Sequence, residues 1–251
     1  RQHMNFTTPN TFGGRVAVVT GAGGGIGRAI ARALAEGGAV VYLVGRRQSS
    51  LETLRAEIVG AGHHAETCAC DLSHEDDIHR LRNRLGTERG RVDVLVHCAG
   101  TISLGAIESA PIGDFDKQYG INVRAPYVLT QALLPLVKLS QGEIVVINSS
   151  AGIHTKEQIG AYAASKHALR AIADTLRLEV NAFGVRVLSV YPGNTATAMQ
   201  DAIQDFTGKS LENQYLLQPQ DIASTVIHCL LLPRTAEVTD IQIRPFRKAS
   251  A

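Results

Sequence analysis

Apolar residues along this chain follow two alternating rhythms. Short runs at 16–19, 40–44, 65–69, 94–97, 144–148, 185–190 and 238–243 read as strands, most of them continuous rather than alternating in hydrophobicity. Continuity of that kind is expected where helices cover both faces of a sheet. Between the runs, longer stretches near 26–37, 50–61, 74–86, 113–138, 161–183 and 220–232 read as helices. Each crossover is long enough to return the chain right-handedly to a parallel strand. The pattern therefore predicts an α/β fold: a doubly wound parallel sheet of about seven strands flanked by helices on both faces. No Pro/Gly/Ser-rich linker divides it, so one domain over 5–251 is expected. Ligands of such sheets bind beyond the carboxyl ends of the strands, near the point where strand order reverses.

Composition narrows the function classes. With 251 residues, 45% hydrophobic, 19% charged and a formal charge of +2, the chain can bury a sizeable core and carries no polyanion-binding surplus. The basic runs at 46–47 and 244–248 are too short for a nucleic-acid footprint, and no nucleic-acid partner is expected. Cys68, Cys70, Cys98 and Cys229 lack the paired Cys-x-x-Cys spacing of a zinc site, so no metal is expected. With no signal peptide and no apolar span of 18 residues, the expectation is a cytoplasmic protein without a membrane partner. The leading Arg-Gln-His before Met4 reads as a cloning remnant, so residues 1–4 are set apart from the domain.

The first strand runs through glycines directly into a helix in "VAVVTGAGGGIGRAI". Backbone amides at a helix start can approach a pyrophosphate only where side chains are absent, and the helix dipole favours the anion. The strict Gly-x-Gly-x-x-Gly of a Rossmann fold is missing, because Ile26 stands where the third glycine would be; the pattern present is Thr20-Gly21-x-x-x-Gly25-x-Gly27. A glycine-rich turn without a ligand is the alternative. Asp71, in "CDL" after the third strand, can cap an adenine edge or the next helix. Arg46 and Arg47 follow the second strand, where an acid would favour NAD and an arginine accommodates the 2′-phosphate of NADP. Their alternative is two solvated arginines at a strand end.

"GAYAASKHAL" places Tyr162 and Lys166 one helical turn apart. That helix follows the fifth strand, which ends in "VVINSSAG" and delivers Ser149 and Ser150 to the same edge. A hydroxyl, a phenol and an ammonium thus collect where a nicotinamide would lie.

From Gly14 to about Arg244 the chain resembles a single-domain member of the short-chain dehydrogenase/reductase family. The resemblance is carried by Thr20-Gly21-x-x-x-Gly25-x-Gly27, Asp71-Leu72, Ala99-Gly100, Asn122, Ser149, Tyr162-x-x-x-Lys166 and Pro192-Gly193-x-x-x-Thr197, in order. It implies hydride transfer between NADP, with NAD possible, and a small-molecule alcohol or carbonyl. Tyr162 would be the general acid/base, Lys166 would favour its phenolate and bond the nicotinamide ribose, and Ser149 would donate to the carbonyl oxygen. Ser150 replaces Ser149 if the loop is shifted. Asn122 would hold a water linking Lys166 to solvent. The cofactor would lie along Gly21, Gly25, Ile26, Gly27, Arg46, Arg47, Asp71, Leu72, Ala99, Gly100, Pro192, Gly193, Thr195 and Thr197.

Departures from the family pattern are His97-Cys98 in place of Asn-Asn before Ala99-Gly100, and Gly24 where some NADP-using relatives carry a basic residue. A lone His97 reads as a satisfied strand-end histidine. The stretch 195–217 is expected to be a substrate lid, with Met199, Phe206, Tyr215 and Leu216 facing Ile153, His154 and Gln158 across a mixed pocket. A homotetramer or homodimer is expected through the helices at 113–138 and 161–183. The competing function is a non-catalytic dinucleotide sensor or scaffold, in which Ser149, Tyr162 and Lys166 would not all be needed.

Overall fold

The computed structural model describes residues 10–208 and 211–247; the stretch 1–4, positions 209–210 of the expected lid and position 248 of the second basic run lie outside the described residues. Seven parallel strands, β1 (Val16–Thr20), β2 (Val40–Gly45), β3 (His64–Ala69), β4 (Val94–His97), β5 (Glu143–Ile147), β6 (Arg186–Pro192) and β7 (Asp240–Ile243), form one sheet in the order β3-β2-β1-β4-β5-β6-β7. The order reverses between β1 and β4, which pair directly through Ala17–Val94, Val18–Leu95 and Val19–Val96. A crevice opens beyond the carboxyl ends of strands at such a switch point.

Two cores explain why the strands read as continuous apolar runs. In β1 every residue is buried, but Ala17 and Val19 enter one cluster while Val16 and Val18 enter the other. The first cluster is closed by α1 (Gly25–Glu36), α2 (Gln48–Gly60) and α8 (Pro219–Leu230), and the second by α3 (Glu75–Glu88), α5 (Ala125–Leu139) and α6 (Gly160–Val180). Period-two side-chain alternation thus serves both faces with apolar residues. Among the described residues no helix is long and apolar enough to cross a membrane.

Two segments differ from the sequence pattern. The helix expected over 113–138 is broken into α4 (Ile112–Tyr119), a π-turn at Gly120–Arg124, and α5. Pro126 has no N–H to return to the Asn122 carbonyl, and the Ala125 N–H bonds Gly120 O five residues back instead. The stretch after β6, anticipated only as a lid, contains a helix, α7 (Ala198–Thr207). Thr197 caps it, its Oγ1 accepting the Gln200 N–H at 3.4 Å.

Candidate active site

A cleft of about 1710 Å³ opens along the carboxyl edge of the sheet, on both sides of the switch point. That exceeds the ~300–1,000 Å³ typical of a single-ligand pocket and leaves room for a dinucleotide with a second small molecule beside it.

At one end the cleft is floored by the turn between β1 and α1. Gly21 and Gly25 have φ of +67° and +51°, the left-handed region where a side chain is strained. A Cβ on Gly21 would come within 3.0 Å of the Ala99 backbone, and one on Gly25 within 3.0 Å of Thr197 Cγ2. Gly24 precedes α1 with no side-chain cap, so the first helical amides, including that of Ile26, are left for a ligand. Gly27 sits behind this cradle and does not line the cleft; a Cβ there would meet Gly21 O at 2.5 Å, so its role is to let α1 pack onto the loop. The donor set and the bare backbone fit a pyrophosphate.

Thr20 holds the cradle's other wall. Its Oγ1 donates to Val96 O (3.1 Å) and accepts the N–H groups of Cys98 (2.9 Å) and Ala99 (3.1 Å), tying the ends of β1 and β4 together. Farther along, Arg46, Arg47, Asp71 and Leu72 line the cleft. Both arginines are exposed, and neither forms an ion pair among the described residues. Asp71 accepts from the Ser73 N–H and hydroxyl at 3.0 and 2.7 Å, which holds its carboxyl below the usual range against the opposing effect of partial burial, with a smaller contribution from Arg46. Its side chain closes a local turn onto Ser73 rather than capping α3, whose N-cap is His74, while still bordering the cleft.

Ser149, Tyr162 and Lys166 form the cleft's middle wall. Ser149 heads a short 3-10 turn, its Oγ accepting the Ala151 N–H at 3.1 Å. Ser150, the alternative, is exposed. The Lys166 ammonium donates to Ile147 O at 3.3 Å and lies 5.9 Å from the Tyr162 ring centroid. Both side chains are buried, at 7% exposure for Tyr162 and 4% for Lys166. Burial pushes the phenol up, with the neighbouring Ser149 hydroxyl pulling the other way, and brings the lysine down to about 8. At Tyr162 desolvation therefore outweighs the downward pull expected from Lys166, whose own charge is disfavoured.

Asn122 rises from the π-turn beneath this wall. Its Oδ1 accepts the Thr101 N–H (2.9 Å), and its Nδ2 donates to Thr101 O (2.9 Å) and Ser165 Oγ (3.0 Å). The side chain is fully committed, and Pro126 brings no N–H to the Asn122 carbonyl four residues back. A Cβ on Gly100 would stand 3.3 Å from Asn122 Oδ1 and 3.8 Å from Lys166 Nζ, placing all three at one point of the floor. Pro192, Gly193, Thr195 and Thr197 border the cleft from the β6 side. Thr195 is buried, and its Oγ1 donates to Gly193 O at 2.9 Å.

His97 takes no part in the cleft: it is buried, its Nε2 pairs with Thr130 Oγ1 at 2.9 Å, and burial lowers its pKa to about 4. Thr20, the first residue of the glycine motif, braces the strand ends, and Cys98 of the departing His97-Cys98 pair lies beside Lys166 with its thiol pushed up to about 12 by burial. Two neighbours were not singled out from sequence: Ser165, which accepts from Asn122 Nδ2 at 3.0 Å, and Asn148, whose Nδ2 donates to Lys166 O at 3.1 Å. Each sits one position from a motif residue, the signal that could have marked it.

Comparison with known proteins agrees with this geometry. A family profile described as short chain dehydrogenase matches residues 15–207. The glycine betaine reductase ATRR of Emericella nidulans is 34% identical over 239 residues; the match covers 92% of this chain, which spans only 19% of that protein. Among solved structures, the alcohol dehydrogenase of the archaeon Thermococcus sibiricus complexed with 5-hydroxy-NADP is similar with a TM-score of 0.86 and 27% identity, over 94% of this chain and 99% of that one. A metagenomic short-chain oxidoreductase in complex with NADP gives 0.82 and 34%, over 94% and 99%.

Proposed function

The chain belongs to the short-chain dehydrogenase/reductase family, and we propose that it interconverts an alcohol with the corresponding ketone or aldehyde using NADP, with NAD as the alternative cofactor. The observation that carries this reading is the meeting of Ser149, Tyr162 and Lys166 in one cleft with the bare glycine cradle. When bound, a nicotinamide dinucleotide supplies or accepts the hydride. In reduction, Ser149 donates a hydrogen bond to the substrate carbonyl as negative charge develops, and Tyr162 gives that oxygen its proton. Lys166 favours the phenolate left behind, and with a pKa brought to about 8 it can exchange a proton near neutral pH through a water on the Asn122 carbonyl.

NADP preference is supported by Arg46 and Arg47, two unpaired guanidiniums at the ribose end with no acid between them, and by the NADP carried by similar structures. The lid at 195–217 is supported by its pinned ends: Thr195 bridges Leu217, and the Ala196 N–H donates to Leu217 O at 2.8 Å. Association into a homotetramer or homodimer is supported by apolar side chains left on the outer faces of α5 and α6, Tyr127 at 48% and Leu178 at 83% exposure. Four unpaired cysteines support a reducing, cytoplasmic setting.

The test is NADPH oxidation across a panel of ketones and aldehydes, with NADPH binding measured in parallel. Oxidation with at least one carbonyl compound is expected. Tight binding with no oxidation across the panel would instead mark a dinucleotide sensor.

A further inference from the structure

One buried amide in the cleft has no task in the chemistry above. On α7, Gln200 is buried and Met199, Ile203 and Gln204 are half-buried, all lining the cleft, with Gln200, Ile203 and Gln204 at the i, i+3, i+4 spacing of a single helix face. Gln204 is occupied, its Oε1 accepting the Leu211 N–H. Gln200 is only 6% exposed, and its backbone N–H is satisfied by Thr197. Its side-chain amide makes no hydrogen bond among the described residues. It is also absent from the fully enclosed unpaired atoms, which are Asn148 Oδ1, Ser189 Oγ and Tyr191 OH. An amide that is buried, unpaired and yet not sealed in protein has one direction open to it, which is the cleft it lines.

Its surroundings define what would meet it. Met199 and Ile203 flank it on α7, and Ile102, Leu104 and Ile159 line other parts of the same cleft; all five are partly or wholly withdrawn from solvent. Apart from Tyr162 and Lys166, the cysteines and the nucleotide-end groups Arg46, Arg47 and Asp71, the charged or titratable residues of the cleft, Lys117, His154, Lys156 and Glu157, are exposed. A neutral amide set among apolar walls selects a neutral partner, because a charge there would lack a counter-charge.

We propose that Gln200 is a specificity-determining residue, and that the substrate is an apolar carbonyl compound bearing a second, uncharged hydrogen-bonding group apart from the reacting carbonyl. The inference rests on the oxidoreductase reading of the same cleft. A site that hydrogen-bonds a substrate group rejects the analogue lacking it, because its own buried polar group is then left unpaired.

The experiment compares 1-decalone with decahydronaphthalene-1,5-dione, using the full chain and its Gln200→Met variant, a replacement of similar volume. Wild type should reduce the diketone with a kcat/KM at least ~10-fold higher, a preference well beyond the twofold statistical advantage of two carbonyls. The variant should lose that preference by falling on the diketone alone, with its affinity for NADPH unchanged. A wild type that treats the two ketones alike overturns the proposal even if the variant does not fold. So does a variant that loses the same factor on both, or one that binds NADPH more weakly, which would assign the amide to the nucleotide. Calorimetric binding of both ketones to the NADP-loaded protein separates the two readings. Selective, Gln200-dependent binding without turnover would sink the oxidoreductase reading alone; turnover without diketone preference would sink the specificity alone.

Discussion

At the scale of single residues, the site is held in a costly state. Lys166 is buried beside a buried phenol, with one carbonyl as its hydrogen-bond partner, and its pKa is lowered from 10.5 to about 8 by desolvation. Between pH 8 and 10.5 the unfolded chain therefore binds more protons here than the folded one, so stability from this group rises with pH across that window and is lowest below pH 8. The shift corresponds to a penalty on the order of 3 kcal/mol at neutral pH. Lys166→Met should accordingly raise the melting temperature of the nucleotide-free protein at pH 7 by at least ~2 °C while abolishing turnover. Urea or thermal unfolding checks it, and a variant no more stable than the parent at pH 7 would show that the lysine is not strained. Tyr162 and Lys166 were legible as a pair from their spacing and neighbours. Gln200 was not, because one glutamine in a polar stretch carries no signal until burial singles it out.

At the scale of elements, the sequence rhythm was read correctly where packing is two-sided. The seven strands and the glycine turn followed from continuous apolar runs feeding into helices, since only a sheet covered on both faces wants such runs. The π-turn at Gly120–Arg124 was invisible, because inserting one residue per turn barely alters an apolar stripe; its cause, Pro126, shows only through the hydrogen bond it cannot make. Helix α7 was missed because its apolar positions, Met199, Ile203 and Phe206, face a cleft rather than a core. The loop after β2 carries its own prediction. Arg46 and Arg47 are exposed at the cleft and unpaired, so replacing them with Asp and Leu should cut kcat/KM for NADPH by ~10–100-fold and shift preference toward NADH. Kinetics with both nucleotides decides it; an unchanged NADPH/NADH ratio would place the arginines away from the nucleotide.

At the scale of the whole molecule, the sheet's switch point, the pinned segment after β6 and the outer helix faces assign different tasks to different regions. In this account the carboxyl edge is proposed to do the chemistry, and the exposed apolar residues on α5 and α6 are proposed to serve association. Light scattering at micromolar concentration should give about four times the 26.8 kDa chain mass, and a monomer mass would remove the assembly from the account. The central claim is that Tyr162 delivers the proton while hydride crosses the cleft. It is tested most directly by single-turnover oxidation of bound NADPH, comparing the parent with Tyr162→Phe under conditions where both are saturated with nucleotide. The account predicts equal NADPH binding and a rate lowered ~10²–10⁴-fold in the variant; equal rates would contradict it.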